Sequence, residues 1–177
     1  ANNTFKEFLE AYHKLQPIDA LILDLRSNGG GLPGQAIELS NFFLPKGNLL
    51  VSMDGMRIPH DEARATQDGE FLKGKVIVLT NETSASASEI VSGALQDWDR
   101  ALIIGRRTFG KGLVQQQIPL LDGSAVRLTV ARYHTPTGRV IQRPYHNGDL
   151  KSYEEDFFKR FESLEDSVKV DSSLMFK

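Results

Sequence analysis

A chain of 177 residues, 40% hydrophobic and 25% charged, has the size and mix of one globular domain with a single sizeable core. Its formal net charge of −2 supplies no field that would draw it to nucleic acid or an anionic membrane. Apolar runs such as Val76 to Leu79 are too short to span a bilayer, and the lack of cysteine excludes disulfides, thiolate metal sites and a cysteine nucleophile.

In chain order, Phe5, Phe8, Leu9, Tyr12 and Leu15 fall on one face of a helix, with Thr4 and Glu7 at capping-box spacing and Pro17 as its end. Ala1 leads straight into this pattern, so the start reads as an internal point of a longer chain, and the missing signal peptide carries no information on compartment. Ala20 to Leu25 reads as a buried strand, followed by the glycine loop Asn28-Gly29-Gly30-Gly31 and a helix from about Gly34 to Phe43. Pro45 and Gly47 break that helix, and Leu49 to Met53 is a second strand. The polar stretch from Asp54 to Lys73 reads as a long loop, and Lys75 to Thr80 as a third strand.

The small-residue run Thr83 to Ser88 leads into a helix whose apolar face is Ile90, Val91, Ala94, Leu95 and Trp98, and Ala101 to Ile104 is a fourth strand. Leu113 to Leu120 and Ser124 to Tyr133 form a hairpin across Asp122-Gly123. A last helix runs from Ser152 to Leu164, with Ser152 and Glu155 at capping-box spacing and Phe157, Phe158, Phe161 and Leu164 as an apolar stripe. The alternation predicts an α/β domain with mainly parallel strands between helices, plus a β-hairpin and a C-terminal helix.

Two motifs point to nucleotides. Gly29-x-Gly31-x-x-Gly34 follows a strand, opens a helix and has Asp54 about 20 residues further on, the arrangement of a dinucleotide site. Against it, the strand carries Asp24 and Arg26, the residues Arg26 to Asn28 delay the first glycine, and Pro33 occupies the helix start. Gly105-x-x-x-x-Gly110-Lys111-Gly112 is a phosphate loop except at its end, where Gly112 replaces the magnesium-binding hydroxyl and a strand follows instead of a helix.

A hydroxyl nucleophile needs a base, an orienting partner for that base and N–H donors for an oxyanion. No Gly-x-Ser-x-Gly elbow is present, and His13, His60, His134 and His146 stand in no recognisable triad context. Ser86 lies between a buried strand and an amphipathic helix, where free N–H groups favour developing negative charge. Ser86 and Glu89 also have capping-box spacing, so a plain N-cap is the favoured reading on local sequence, and Ser84, Ser86 and Ser88 are not separated by the residues alone.

The run Thr83-Ser84-Ala85-Ser86-Ala87-Ser88-Glu89-Ile90, then Gly93 to Asp97, then Gly105 to Gln116, resembles the carboxyl-terminal processing (tail-specific) serine peptidases. So do Leu23 to Arg26 with the glycine loop, and Ala131-Arg132-Tyr133 with Thr135-Pro136-Thr137-Gly138. The blocks occur in family order from about residue 20 to 142. The resemblance implies a crotonase-like α/β core and endopeptidase cleavage near the C-terminus of flexible polypeptide tails through an acyl-enzyme. It implies Ser86 as nucleophile, Lys111 as base, Gln115 as its partner, and the Ala87 and Gly31 N–H groups as oxyanion donors, with Gly30 the near alternative to Gly31. No cofactor, metal or nucleic acid is expected, the compartment implied is periplasmic or otherwise extracytoplasmic, and a homo-oligomer is left open.

A lysine of pKa about 10.4 is neutral in only ~1 molecule in 2,500 at pH 7, and lowering it to ~7–8 by burial corresponds to about 3–5 kcal/mol of disfavoured charge. The resemblance divides the chain into a catalytic core, residues 1–142, lacking the strand expected before its first helix, and residues 143–177 as a helical tail or the start of an insertion. The family's PDZ domain and its Gly-x-x-Pro-Asp ending are not seen in this sequence. Two other readings remain at this point: a catalytically silent peptide-interaction fragment of the same fold, and a dinucleotide-binding domain.

Overall fold

The structure is a computed structural model that describes residues 2–145 and 149–162; His146, Leu164 and the side chain of Phe161 lie outside the described residues. Two compact units divide the chain, residues 1–143 and 144–177. The first carries α1 (Thr4–Leu15), β1 (Ala20–Asp24), α2 (Pro33–Asn41), β2 (Leu49–Asp54), β3 (Asp61–Arg64), β4 (Lys75–Thr80), α3 (Ala87–Asp97), β5 (Leu102–Gly105), β6 (Leu113–Pro119) and β7 (Ala125–His134), and the second carries α4 (Leu150–Glu162).

The fold is α/β, as the alternation predicts, with its strands shared between two sheets. Strands β1, β4 and β5 form a parallel sheet in the order β1-β4-β5, and β3, β2, β7 and β6 form an antiparallel sheet in that order. The stretch expected as one long loop contains β3. Its sequence, Asp-Glu-Ala-Arg, has no apolar alternation to betray a strand, because it is an exposed edge whose charges keep other chains from adding to it.

Burial follows strand period. In β4, Val76, Val78 and Thr80 face the core while Lys75 is exposed. Aromatic rings cluster where α1 meets the end of α2: the Tyr12 and Phe42 rings are 4.8 Å apart edge-on, Phe42 and Phe43 are 5.0 Å apart, and Phe8 packs 5.1 Å from Phe42. Each large apolar side chain so buried contributes about 1.5–3 kcal/mol. Leu50, Val78 and Leu95, which are also fully buried, join this cluster to the parallel sheet and α3.

Two helix starts differ from the capping boxes expected. Asn3, not Thr4, is the N-cap of α1. In the second unit α4 begins at Leu150, and the Ser152 N–H donates to Asp149 Oδ1 at 2.9 Å, so Asp149 supplies the cap expected of Ser152. Within α4 the Phe157 and Phe158 rings meet edge-on at 5.9 Å, and Phe158 is exposed.

Candidate active site

Three loops leave the carboxyl ends of the three parallel strands. With β4 central, the loop after it, which carries Ser86, lies between the glycine loop after β1 and the Lys111 loop after β5. The carboxyl edge of a parallel sheet is where α/β folds place their ligands, since loop N–H groups and helix starts converge there.

The glycine loop is held against the serine loop by several hydrogen bonds. Asn28 O accepts from Ala85 N–H at 3.0 Å and from Ser88 Oγ at 3.0 Å, and Leu25 O accepts from Ser84 Oγ at 2.7 Å. Asn81 Oδ1 accepts from Ser27 N–H at 2.9 Å. The three serines that sequence could not separate are therefore distinct: Ser84 and Ser88 are buried and committed to carbonyls of the β1 loop, whereas Ser86 is half-buried. Ser86 also has φ 58 and ψ −115, a backbone conformation that costs a non-glycine residue about 1–3 kcal/mol.

Gly30 has φ +88 and packs directly on the Ser86 turn, where a Cβ would lie 2.4 Å from Ala85 O and 2.7 Å from Ala87 N. No residue but glycine fits there. Its own N–H donates to Asn28 Oδ1 at 2.9 Å. Gly31 N–H and Ala87 N–H, the latter in the first turn of α3, have no acceptor among the described residues. Beside them lies a cavity of about 110 Å³ whose apolar walls include Leu25, Leu32, Ala36, Leu39 and Val91.

Glu89 joins the second loop to the third. It is buried, and it accepts from Ser86 N–H at 2.8 Å and Lys111 N–H at 2.8 Å through Oε2, and from Gly110 N–H at 2.6 Å through Oε1. Two further ties run alongside: Phe109 N–H donates to Ser84 O at 2.9 Å, and Arg106 pairs with the buried Glu82, with Nη2 to Oε2 at 2.9 Å. Sequence reasoning saw Glu89 only as half of a capping box, and that half is made; its reach to Gly110 and Lys111 had no local signature.

The Lys111 backbone is thus fixed beside Ser86, while its side chain is exposed in this chain. Gln115 sits just after a register shift in the β6–β7 ladder, and its Nε2 donates to Thr129 Oγ1 at 3.4 Å, so its amide is turned to β7 and not joined to Lys111. The described histidines take carboxylate partners outside the three loops: His13 with Glu70 at 3.0 Å, His60 with Asp54 at 2.6 Å, and His134 with Asp54 at 3.4 Å. Asp54 and Glu62 raise the His60 pKa above its ordinary value. At the end of β1, hydrogen bonds from the Arg26 side chain and backbone lower Asp24 to about 2.

The same geometry weighs against both nucleotide motifs. The glycine loop is occupied with the serine turn, and Gly112 leads straight into β6 with no helix to face a phosphate.

Residues 1–151 match the model of peptidase family S41. The carboxyl-terminal-processing protease of Synechocystis sp. is 41% identical over 144 residues, covering 80% of this chain and 33% of that protein. The carboxy-terminal-processing protease of Bartonella bacilliformis is 49% identical over 147 residues, covering 78% of this chain and 33% of that protein. Among solved structures, a photosystem II D1 C-terminal processing protease superposes with a TM-score of 0.75 at 40% identity, covering 80% of this chain and 37% of that one. The chain spans about a third of the length of the curated relatives it matches. It belongs to peptidase family S41.

Proposed function

We propose that the protein is a serine endopeptidase that cleaves near the C-terminus of flexible polypeptides, with Ser86 as nucleophile and Lys111 as general base. The observation that carries this reading is the meeting of the strained Ser86, the Ala87 and Gly31 N–H groups that have no acceptor among the described residues, and the Lys111 loop at one edge of the parallel sheet. Serines presented on a strained turn between strand and helix are exposed for attack in other hydrolases.

Ser86 Oγ attacks the scissile carbonyl carbon as its proton passes to the neutral amine of Lys111. The oxyanion is held by the N–H groups of Ala87 and Gly31, with Gly30 as the spacer that lets the two loops approach. The C–N bond breaks, the Lys111 ammonium gives its proton to the leaving amine, and an ester remains on Ser86. Water then attacks the ester, Lys111 takes one of its protons, and that proton returns to Ser86 Oγ as the new carboxylic acid leaves and loses its own proton to solvent. The cavity between Leu25, Leu39 and Val91 suits an apolar substrate side chain next to the reacting carbonyl.

Lys111 is exposed in the free chain, so its desolvation falls to bound substrate or to polypeptide beyond this chain. Gln115 is assigned to accept a hydrogen bond from the Lys111 amine, after its side chain leaves Thr129. Residues 1–142 are read as catalytic core and 143–177 as a tail or insertion, with a PDZ domain preceding the core in the complete protein. A periplasmic or otherwise extracytoplasmic place of action is part of this proposal; no described helix is long and apolar enough to cross a membrane.

The test is turnover of an unstructured peptide tail by the full-length protein and by Ser86→Ala, Lys111→Ala and Lys111→Arg. Loss of turnover in all three supports the reading, and near-normal turnover in Lys111→Ala overturns it.

A further inference from the structure

We infer that Glu89 is the positioning residue that sets Ser86 and Lys111 relative to each other, an assignment that rests on the Ser–Lys reading. Glu89 is the third residue of α3, and only 4% of it is exposed. A buried carboxylate is costly unless it is paired or fully hydrogen-bonded. No ion pair of the described residues involves Glu89; its charge meets the α3 N-terminus and three backbone N–H groups.

The identity of those donors separates this group from an ordinary cap. A capping-box glutamate satisfies the N–H of its own N-cap residue. Glu89 does so for Ser86 and then crosses 21 and 22 positions of sequence to Gly110 and Lys111. One oxygen, Oε2, takes the N–H groups of both members of the proposed dyad. Any shift of one loop against the other must break a bond to that oxygen.

Stability alone does not call for this arrangement. The same two loops are already joined by Phe109 N–H to Ser84 O and by the Arg106–Glu82 pair. What Glu89 adds is alignment at the base, at the residue before it and at the nucleophile itself.

The stereochemistry of replacement is specific. Glutamine has one carbonyl oxygen and one NH₂ group, so it keeps either the Ser86 and Lys111 donors or the Gly110 donor and turns a donor against the rest. Aspartate keeps the charge but is one methylene shorter and cannot span both loops from the same helix position.

The experiment uses the full-length protein with Glu89→Gln and Glu89→Asp, beside Ser86→Ala and Lys111→Ala. Competent sites are counted by titration with a serine-directed fluorophosphonate, and kcat per titrated site and KM are measured on an unstructured peptide. The expected result is kcat per site down about 100-fold in both Glu89 variants, the scale of an ångström-sized misalignment, with KM within about 2-fold of wild type. Because only folded, reactive sites are counted, partial misfolding does not mimic this outcome. If kcat per site stays within about 3-fold of wild type while only the melting temperature or the titratable fraction falls, Glu89 is a structural clamp and the inference is wrong. If Ser86→Ala or Lys111→Ala retains turnover, the dyad reading fails and the inference falls with it; a dead dyad with active Glu89 variants removes the inference alone.

Discussion

Gly30 approaches Ala87 so closely that a methyl group on it would sit 2.7 Å from the Ala87 nitrogen, inside any real contact distance. Gly30→Ala must therefore push the glycine loop off the serine turn, in addition to carrying a side chain at φ +88. At Gly31 a Cβ would meet nothing within 4 Å, and the proposed donor is backbone. Gly30→Ala is expected to lose turnover by about 100-fold or more, as when an oxyanion donor is removed, while Gly31→Ala keeps its fold and most of its activity. Steady-state kinetics and thermal melts on the pair check this. Equal, mild effects at both positions would show that the close approach of the two loops is unimportant.

The serine run gives a second contrast. Ser84→Ala and Ser88→Ala each remove a buried hydroxyl bonded to a carbonyl of the β1 loop, at an expected cost of about 1–3 kcal/mol. Ser86→Gly should do the opposite, raising the melting temperature by relieving about 1–3 kcal/mol of backbone strain while turnover is lost. Denaturant unfolding of the three variants separates the cases, and a destabilised Ser86→Gly would mean that the strained conformation is not held in solution.

The proposed mechanism makes nucleophile and base one unit, so Ser86→Ala, Lys111→Ala and the double variant should have nearly the same residual rate. Lys111→Arg should match them, because guanidinium stays protonated. Wild-type kcat/KM should rise with pH as the amine loses its proton, whereas Gln115→Ala should retain partial activity. Additive losses in the double variant would separate the two residues functionally.

Asp97 gives a prediction about acid stability. Burial pushes its pKa up, but hydrogen bonds from the Thr137 side chain, the Thr137 N–H and the Arg139 guanidinium outweigh this and hold it below the ordinary value of 3.8. A carboxylate depressed on folding stabilises fully above its unfolded pKa, and that stabilisation is lost as pH falls through the folded value. The stability gap between wild type and Asp97→Asn, about 1–3 kcal/mol for a buried hydrogen-bonded group, should be flat from pH 5 to 7. It should shrink only below about pH 3.9. Urea titrations across that range measure it, and a gap that widens in acid would contradict the assignment.

His60, pushed up by Asp54 and Glu62 on the β2–β3 strand pair, offers a control away from the site. Its NMR titration should move down toward 6.5 in Asp54→Asn, with kcat/KM unchanged. A change in activity would connect that strand pair to the site.

Periodicity and breakers were enough to read the helices and parallel strands from sequence, because each buries one apolar face against the core, as the alternating burial of β4 shows. The polar edge strand β3 buries little and left no such trace. The motif blocks named the family and pointed to Ser86 and Lys111, but not to how the two are held. Tertiary structure supplied the physical difference between Ser86 and its neighbours Ser84 and Ser88, since partners in the β1 loop, more than 50 positions away in sequence, decide which hydroxyls are committed. The reach of Glu89 to Lys111 likewise exists only because β1, β4 and β5 lie side by side and their loops open at the same edge, a neighbourhood set by strand order and not by spacing in the chain.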